Sequence, residues 1–374
     1  MNDTATSTAG SAGSRSRAAG VPREFVVLDD PRFAQCHAST VLPLPDGDVL
    51  AAWFGGSREG AGDVGVWLGR RTRDGWQRPV PLAAEENLPH WNPVLLAAPD
   101  GQIWLFYKVG THIPRWHTRV MRSGDGGASW SPPEPLEPGD VGGRGPVKNK
   151  PILAHDGRWL APASLEGDRW DAFVDISADG GRSWTASELV PLDLPESRDR
   201  GRGLIQPTLW EPEPGTVRML ARSSEGWVYT STSYDGGRSW EPARPTSLPN
   251  NNSGLDATRL ADGRIVCAHN PVGTNWGIRT PLVLSISEDE GASWVPSVVV
   301  VEHLTVDGGS VPDETGIQSS VLTELSYPAI VPYADGVALT YTWRRRGIAF
   351  AAVPGSALRG SGRADSGDDQ AAQT

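Results

Sequence analysis

One eight-residue phrase recurs along this chain, and an internal repeat restricts the fold more than any other property of a sequence. It reads Ser-x-Asp-x-Gly-x-Ser-Trp and occupies Ser123–Trp130, Ser177–Trp184, Ser233–Trp240 and Ser287–Trp294. Its aspartates, Asp125, Asp179, Asp235 and Asp289, stand 54, 56 and 54 residues apart. A shortened relative, Thr72-Arg73-Asp74-Gly75-Trp76, lies 51 residues before the first. The chemistry of the phrase is that of a tight turn. The carboxylate accepts from backbone N–H groups, glycine supplies positive φ, and the Trp opens the next strand as its first large side chain. A calcium site is disfavoured, because that cation takes six to eight oxygens and each copy offers one carboxylate.

A second signal alternates with the first. Glycine-containing turns precede apolar segments at Pro45-Asp46-Gly47, Pro99-Asp100-Gly101, Asp156-Gly157, Pro214-Gly215, Asp262-Gly263 and Asp335-Gly336. Asp-Gly between alternating apolar residues is a hairpin signal. These six turns, five followed by an octet or its short relative, predict six units of four antiparallel strands. No such unit buries both its faces alone, so neighbours must pack face to face and the ring must close. The expectation is an all-β fold, a six-bladed β-propeller spanning residues 23–354, with Glu24–Leu28 as the outer strand of the last blade. The 44 Gly, 32 Pro and 16 Trp of the 374-residue chain suit short strands joined by turns.

Residues 1–22 and 355–374 are rich in small and polar residues and are expected to be disordered tails. The first contains no apolar run of secretory length, and no stretch approaches a membrane span. With only Cys36 and Cys267 and no disulfide framework, the expected location is the cytoplasm. A net charge of −11 argues against nucleic acid as partner.

In a propeller, loops at one mouth of the central channel bring side chains from every blade together, so the site residues are those outside the repeat. Candidates are His37 at the opening of the first unit, Arg58, Glu59 and Asp63 in a glycine-rich loop, Lys148 and Lys150, Gln206, Arg222, Asn252, Arg279 and Tyr327. Arg222 and Arg279 hold similar places in successive units, and two guanidiniums facing one channel make a fork for a carboxylate. Lys148 or Lys150 would assist. His37 and Tyr327 are the groups able to move protons or attack carbon near neutral pH. Taken singly, each has an ordinary structural explanation: an ion pair, a core aromatic or a turn.

The octets, their spacing and the six units resemble the sialidase (neuraminidase) superfamily of Asp-box, or BNR-repeat, proteins over residues 24 to 353. Ile205–Leu209, then Met219–Arg222, then the Ser233 octet resemble the segment in which that superfamily carries a catalytic Glu, an arginine of the carboxylate-binding triad, and a box. By the same resemblance Arg279 is the third triad arginine and Ser326-Tyr327-Pro328 carries the nucleophilic tyrosine. Arg58 is similar to the first-blade arginine, and Asp63 to the acid/base. Two positions depart from the pattern. His37-Ala38-Ser39 stands where an arginine motif opens the first blade, and Gln206 stands where a Glu raises the nucleophilicity of the tyrosine. An amide cannot accept the phenolic proton as a carboxylate would.

The resemblance implies a carbohydrate-active enzyme, an exo-acting glycosidase on a glycan bearing a sialic or uronic acid. Neither a cofactor nor a metal is implied. The two departures also admit a lyase, with Tyr327 or His37 as the base for β-elimination beside a uronate carboxylate. A third reading is a non-catalytic glycan-binding propeller with Trp91, Trp276 and Trp343 as platforms.

Overall fold

The structure is a computed structural model and describes residues 21–140, 142–194, 200–303 and 323–359. Among these the chain is all-β, with short 3₁₀ turns at Ile113–Arg115 and Gly355–Ala357. None is long and apolar enough to cross a membrane.

Among the described residues the strands form five sheets, the largest of which divides into two antiparallel units. The first unit along the chain holds Gln35–Pro43, Val49–Gly56 and Gly65–Thr72, whose outer edge pairs with Gly75–Trp76 and Val80–Ala83. The second holds His90–Ala97, Ile103–Val109, His117–Ser123 and Glu134–Pro135. The third (Ile152–Leu153, Trp159–Glu166, Arg169–Ser177, Thr185–Ala186) and the fourth (Arg202–Glu213, Thr216–Ser223, Trp227–Ser233, Arg244–Pro249) share one sheet. Only a short parallel contact joins those two, Arg169 with Arg202 and Trp170 with Gly203. The fifth holds Asp256–Arg259, Ile265–His269, Leu282–Ser287 and Val295–Glu302. The sixth runs Leu325–Tyr333, Gly336–Trp343 and Gly347–Val353, and Arg23–Leu28 completes it by pairing with Gly347–Val353. The expected role of the N-terminal strand is therefore met, with Glu24 opposite Phe350.

Because successive strand residues face opposite ways, each unit offers one apolar row to the preceding unit and another to the following one. Val49, Ala51 and Trp53 pack with Ala338, Ile348 and Phe350 of the sixth unit, whereas Leu50 and Ala52 pack with Leu95 and Leu105 of the second. The same exchange continues through Trp104 with Trp159, Leu160 with Met219, and Trp210 with Leu255 and Ile265. It ends with Val266 and Leu284 against Ile330 and Leu339, so the interfaces run from each unit to the next and return to the first.

The four octets are one turn written four times. In the copy at Ser233, the Ser233 hydroxyl donates to Asp235 Oδ1 (2.7 Å) and accepts from Gly237 N–H (2.8 Å). Asp235 then takes Ser239 N–H at 3.0 Å and the Ser239 hydroxyl at 2.6 Å. The copies at Asp125, Asp179 and Asp289 repeat these bonds. Each turn aims its Trp at the preceding unit: Trp184 enters the interface of units two and three, Trp240 that of three and four, and Trp294 that of four and five.

At the C-terminal side the ordered chain runs past the expected boundary at 354. Leu358 is fully buried with Val337 and Leu339, and its carbonyl accepts from Arg264, so an apolar anchor extends the fold to at least residue 359. Of the two expected tails, residues 1–20 and 360–374 lie outside the described residues. Cys36 and Cys267 are both buried and unpaired, in different interfaces.

Candidate functional site

The innermost strand of four units breaks register near one end, and in each a non-glycine residue adopts positive φ there. These are Ala38 (φ 54°), Asn92 (42°), Gln206 (53°) and Tyr327 (50°), at the slips between His37 and Thr40, Trp91 and Val94, Ile205 and Thr208, and Ser326 and Ala329. Lys148 (φ 68°) does the same just before the inner strand of the third unit. Such bulges turn a side chain out of the ladder, and a left-handed residue without glycine persists only where its surroundings hold it. Gln206 and Tyr327 meet in this way. So do His37 and Tyr327, with ring centroids 4.2 Å apart.

Arg222, on the strand paired with that of Gln206, ties the site together. Its Nη1 donates to Tyr327 Oη at 2.7 Å and Gln206 Oε1 at 3.2 Å, and its Nε donates to Asn252 Oδ1 at 2.8 Å. Arginine donates only, so it fixes the amide of Gln206 with oxygen towards itself and nitrogen outward. That nitrogen lies 3.5 Å from both Tyr327 Oη and Glu166 Oε1. The Tyr327 oxygen is thus faced by donors, and among the described residues no carboxylate reaches it. Trp170 and the exposed Trp276 flank the Arg222 guanidinium, each 5.5 Å from it. Glu166 was absent from the sequence candidates. Ser164 donates to it at 3.0 Å, and burial pushes its carboxyl above the usual range against the opposing pull of the Arg222 charge.

A second cluster adjoins the first, and its centre, Glu324, was also missed. Its Oε1 accepts from Arg279 Nη1 and its Oε2 from Arg345 Nε, both at 2.8 Å, while Ser326 Oγ adds a bond at 2.5 Å. Arg345 continues to Glu59 at 2.5 Å. Burial opposes ionisation of Glu324, but Arg345 and Arg279 overcome it and hold the carboxyl well below the usual range. Arg279 therefore reaches the site already engaged at one end. Arg222 and Arg279 still converge, each with its guanidinium carbon 5.8 Å from the Tyr327 ring centroid. Arg222 Nη2 and Arg279 Nε and Nη2 meet no acceptor among the described residues.

Other expectations need correction. His37 is buried and neutral, because burial, and then the Arg345 charge, push its pKa well below 6.5; its Nδ1 shares a bond with Thr342 Oγ1 at 2.8 Å. It is not poised to exchange protons near pH 7. Lys148 Nζ binds the carbonyls of Leu255 (2.8 Å) and Pro328 behind Tyr327, with burial pushing its pKa down to about 7. Lys150 Nζ is held by Asp256 at 2.9 Å. Both lysines are engaged by internal acceptors that brace inner strands. Arg58 and Asp63 are exposed, and Asp63 binds Ser57 N–H (2.9 Å) and Oγ (2.8 Å) within its own loop; neither touches the Tyr327 cluster. Among the described residues, no group of three or more His, Cys, Asp or Glu is placed to hold a metal ion.

The profile of the BNR repeat-like domain matches residues 47–339. No curated protein matches the chain by sequence. Among solved structures, a Hadza microbial sialidase superposes with a TM-score of 0.68 at 16% identity, covering 90% of this chain and 69% of that one. The NanB sialidase of Streptococcus pneumoniae gives 0.65 at 11% identity, over 90% and 71% of the two chains. The intramolecular trans-sialidase of Ruminococcus gnavus, solved with oseltamivir carboxylate, gives 0.63 at 13%, over 92% and 99%. Identities this low establish a shared fold.

Proposed function

Since the chain belongs to the BNR repeat-like domain family, we propose that its six units close into a sialidase-like six-bladed propeller whose channel mouth cleaves an acidic sugar from the end of a glycan. The observation that carries this reading is the bond from Arg222 Nη1 to Tyr327 Oη at 2.7 Å, with Arg279 against the same ring. Two guanidiniums beside one phenol supply an anion site next to a nucleophile, the combination that cleavage at a sugar carboxylate requires. The remaining donors of Arg222 and Arg279 take the substrate carboxylate, with Asn252 fixing the angle of Arg222. Tyr327 attacks the anomeric carbon, and Arg222 Nη1 and Gln206 Nε2 stabilise charge on its oxygen until water releases the sugar.

A second reading, elimination at a uronate, is favoured by one specific feature. Gln206 offers the Tyr327 oxygen an amide N–H and no proton acceptor. A phenolate stabilised by Arg222 would then act as the base that removes the proton beside the substrate carboxylate. Incubation with aryl glycosides of sialic and uronic acids, and with oligouronides, separates the readings. Release of the aryl group supports hydrolysis, and an unsaturated product absorbing in the near ultraviolet supports elimination. Absence of both from pH 4 to 9, with calorimetric binding of the same sugars retained, would leave a glycan-binding propeller.

A further inference from the structure

We propose that Glu166 is the general acid of this site, the group that gives a proton to the departing glycosidic oxygen. The inference rests on the glycan reading above. A general acid must be a neutral carboxyl beside the reacting bond, reachable by a ligand, and opposed to the nucleophile. The other carboxylates near the mouth are engaged otherwise. Glu324 accepts from two guanidiniums, Glu59 is paired with Arg345, and both oxygens of Asp63 bind Ser57 in an exposed loop.

Among the described residues, Glu166 is the carboxyl left free of an arginine partner beside this cluster, and burial raises its pKa, which favours the protonated form. It ends the strand Trp159–Glu166 beside Trp170 and is half-buried, so a ligand can reach it. Gln206 Nε2 lies 3.5 Å from Glu166 Oε1 and 3.5 Å from Tyr327 Oη. The two oxygens are therefore within about 7 Å of each other, a separation that suits two groups working on one glycosidic bond. The charged groups facing Glu166 are Arg222 from the fourth unit and Lys108 from the second unit, and burial outweighs both in raising its carboxyl. The amide at 206 thus stands between two oxygens, orienting the acid while donating to the phenol.

The step balances. Tyr327 enters as a phenolate held by Arg222, its proton having passed to solvent; as the bond from the anomeric carbon to the leaving oxygen breaks, Glu166 transfers its proton to that oxygen and becomes a carboxylate, while the phenolate oxygen bonds to the carbon. Water then attacks the carbon, gives a proton to Glu166, and the Tyr327 oxygen departs.

The test compares 4-nitrophenyl and methyl glycosides of whichever acidic sugar the wild type turns over, because a good leaving group needs no acid. Glu166→Gln is expected to lose about 100-fold or more in kcat/KM on the methyl glycoside and less than about 10-fold on the nitrophenyl one. The alkaline limb of its pH profile should disappear. Glu166→Asp, which keeps an acid one methylene shorter, should retain that limb and serves if the Gln variant does not fold. Equal losses on both substrates, or leaving-group dependence in Asp63→Asn but not in Glu166→Gln, would overturn the assignment and leave the glycan reading standing. A wild type inactive on every glycoside would overturn both.

Discussion

Replacing Glu324 by Gln should weaken the fold and tighten the grip on an acid at the same time. The carboxylate is 1% exposed and receives one guanidinium on each oxygen at 2.8 Å. Gln keeps the shape but offers a single neutral acceptor and turns an NH2 donor towards one of the two cations. Removing one partner of a buried ion pair costs about 3–5 kcal/mol. Arg345 retains Glu59, so the loss falls mainly on Arg279 and the lower figure applies. About 3 kcal/mol, spread over an ordered chain of this size, should appear as a fall in Tm of about 4–5 °C. The pH dependence has a definite sign. Because the folded carboxyl titrates below its unfolded value of 4.5, its stabilisation is present above that pH and is lost as pH falls through the folded pKa. Urea unfolding at pH 7 and pH 3 should therefore show a gap between wild type and variant that narrows in acid. Calorimetry with an acidic sugar should show stronger binding by the variant, since Arg279 Nη1 is released from its internal carboxylate. A variant as stable as wild type at pH 7, or a gap that widens in acid, would refute the role of Glu324 as the buried counter-charge.

Three other outcomes follow from the same geometry. Trp240→Ala, which empties a site between units three and four, should cost about 3–5 kcal/mol in denaturant unfolding without altering ligand selectivity. Arg222→Lys should lose most of the preference for an acidic ligand over its amide, about 2–5 kcal/mol by calorimetry, because one ammonium cannot serve Asn252, Gln206, Tyr327 and a ligand together. The Asp125 and Asp179 carboxyls, held down to about 2 chiefly by the hydroxyls of Ser129 and Ser183, favour the fold above the ordinary Asp range. Thermal stability should therefore fall between about pH 4 and pH 2, and less steeply in an Asp125→Asn variant.

Local chemistry was readable from the sequence and long-range pairing was not. The octets predicted turns correctly because every bond of Asp235 falls within its own four residues on either side. The closing strand at Glu24–Leu28 was legible because the last unit otherwise lacked an edge. Arg222, Gln206, Asn252 and Tyr327 were identified and do converge. What stayed hidden was which charges were already satisfied. Glu59 meets Arg345 across 286 residues, and Lys148 meets Pro328 across 180. Nor does any glycine announce the left-handed bulges at Gln206 and Tyr327 that turn both side chains inward. No local pattern marks Glu166, which ends the strand Trp159–Glu166 of the third unit and meets Gln206 only in the folded chain.

The strand Arg23–Leu28 makes the two distant parts of the chain a clasp. Its partner, Gly347–Val353, lies more than 300 residues later in the sequence, so this pairing cannot form until both segments have been synthesised. A pairing this remote in sequence is slow to find, and unpaired edges invite association with other chains meanwhile. Joining Arg359 to Arg23 through a loop, with new ends opened between two units, would make the clasp a local pairing and keep the Leu358 anchor. Such a circular permutant should refold faster and aggregate less, while the cluster of Arg222, Gln206 and Tyr327 keeps its bonds.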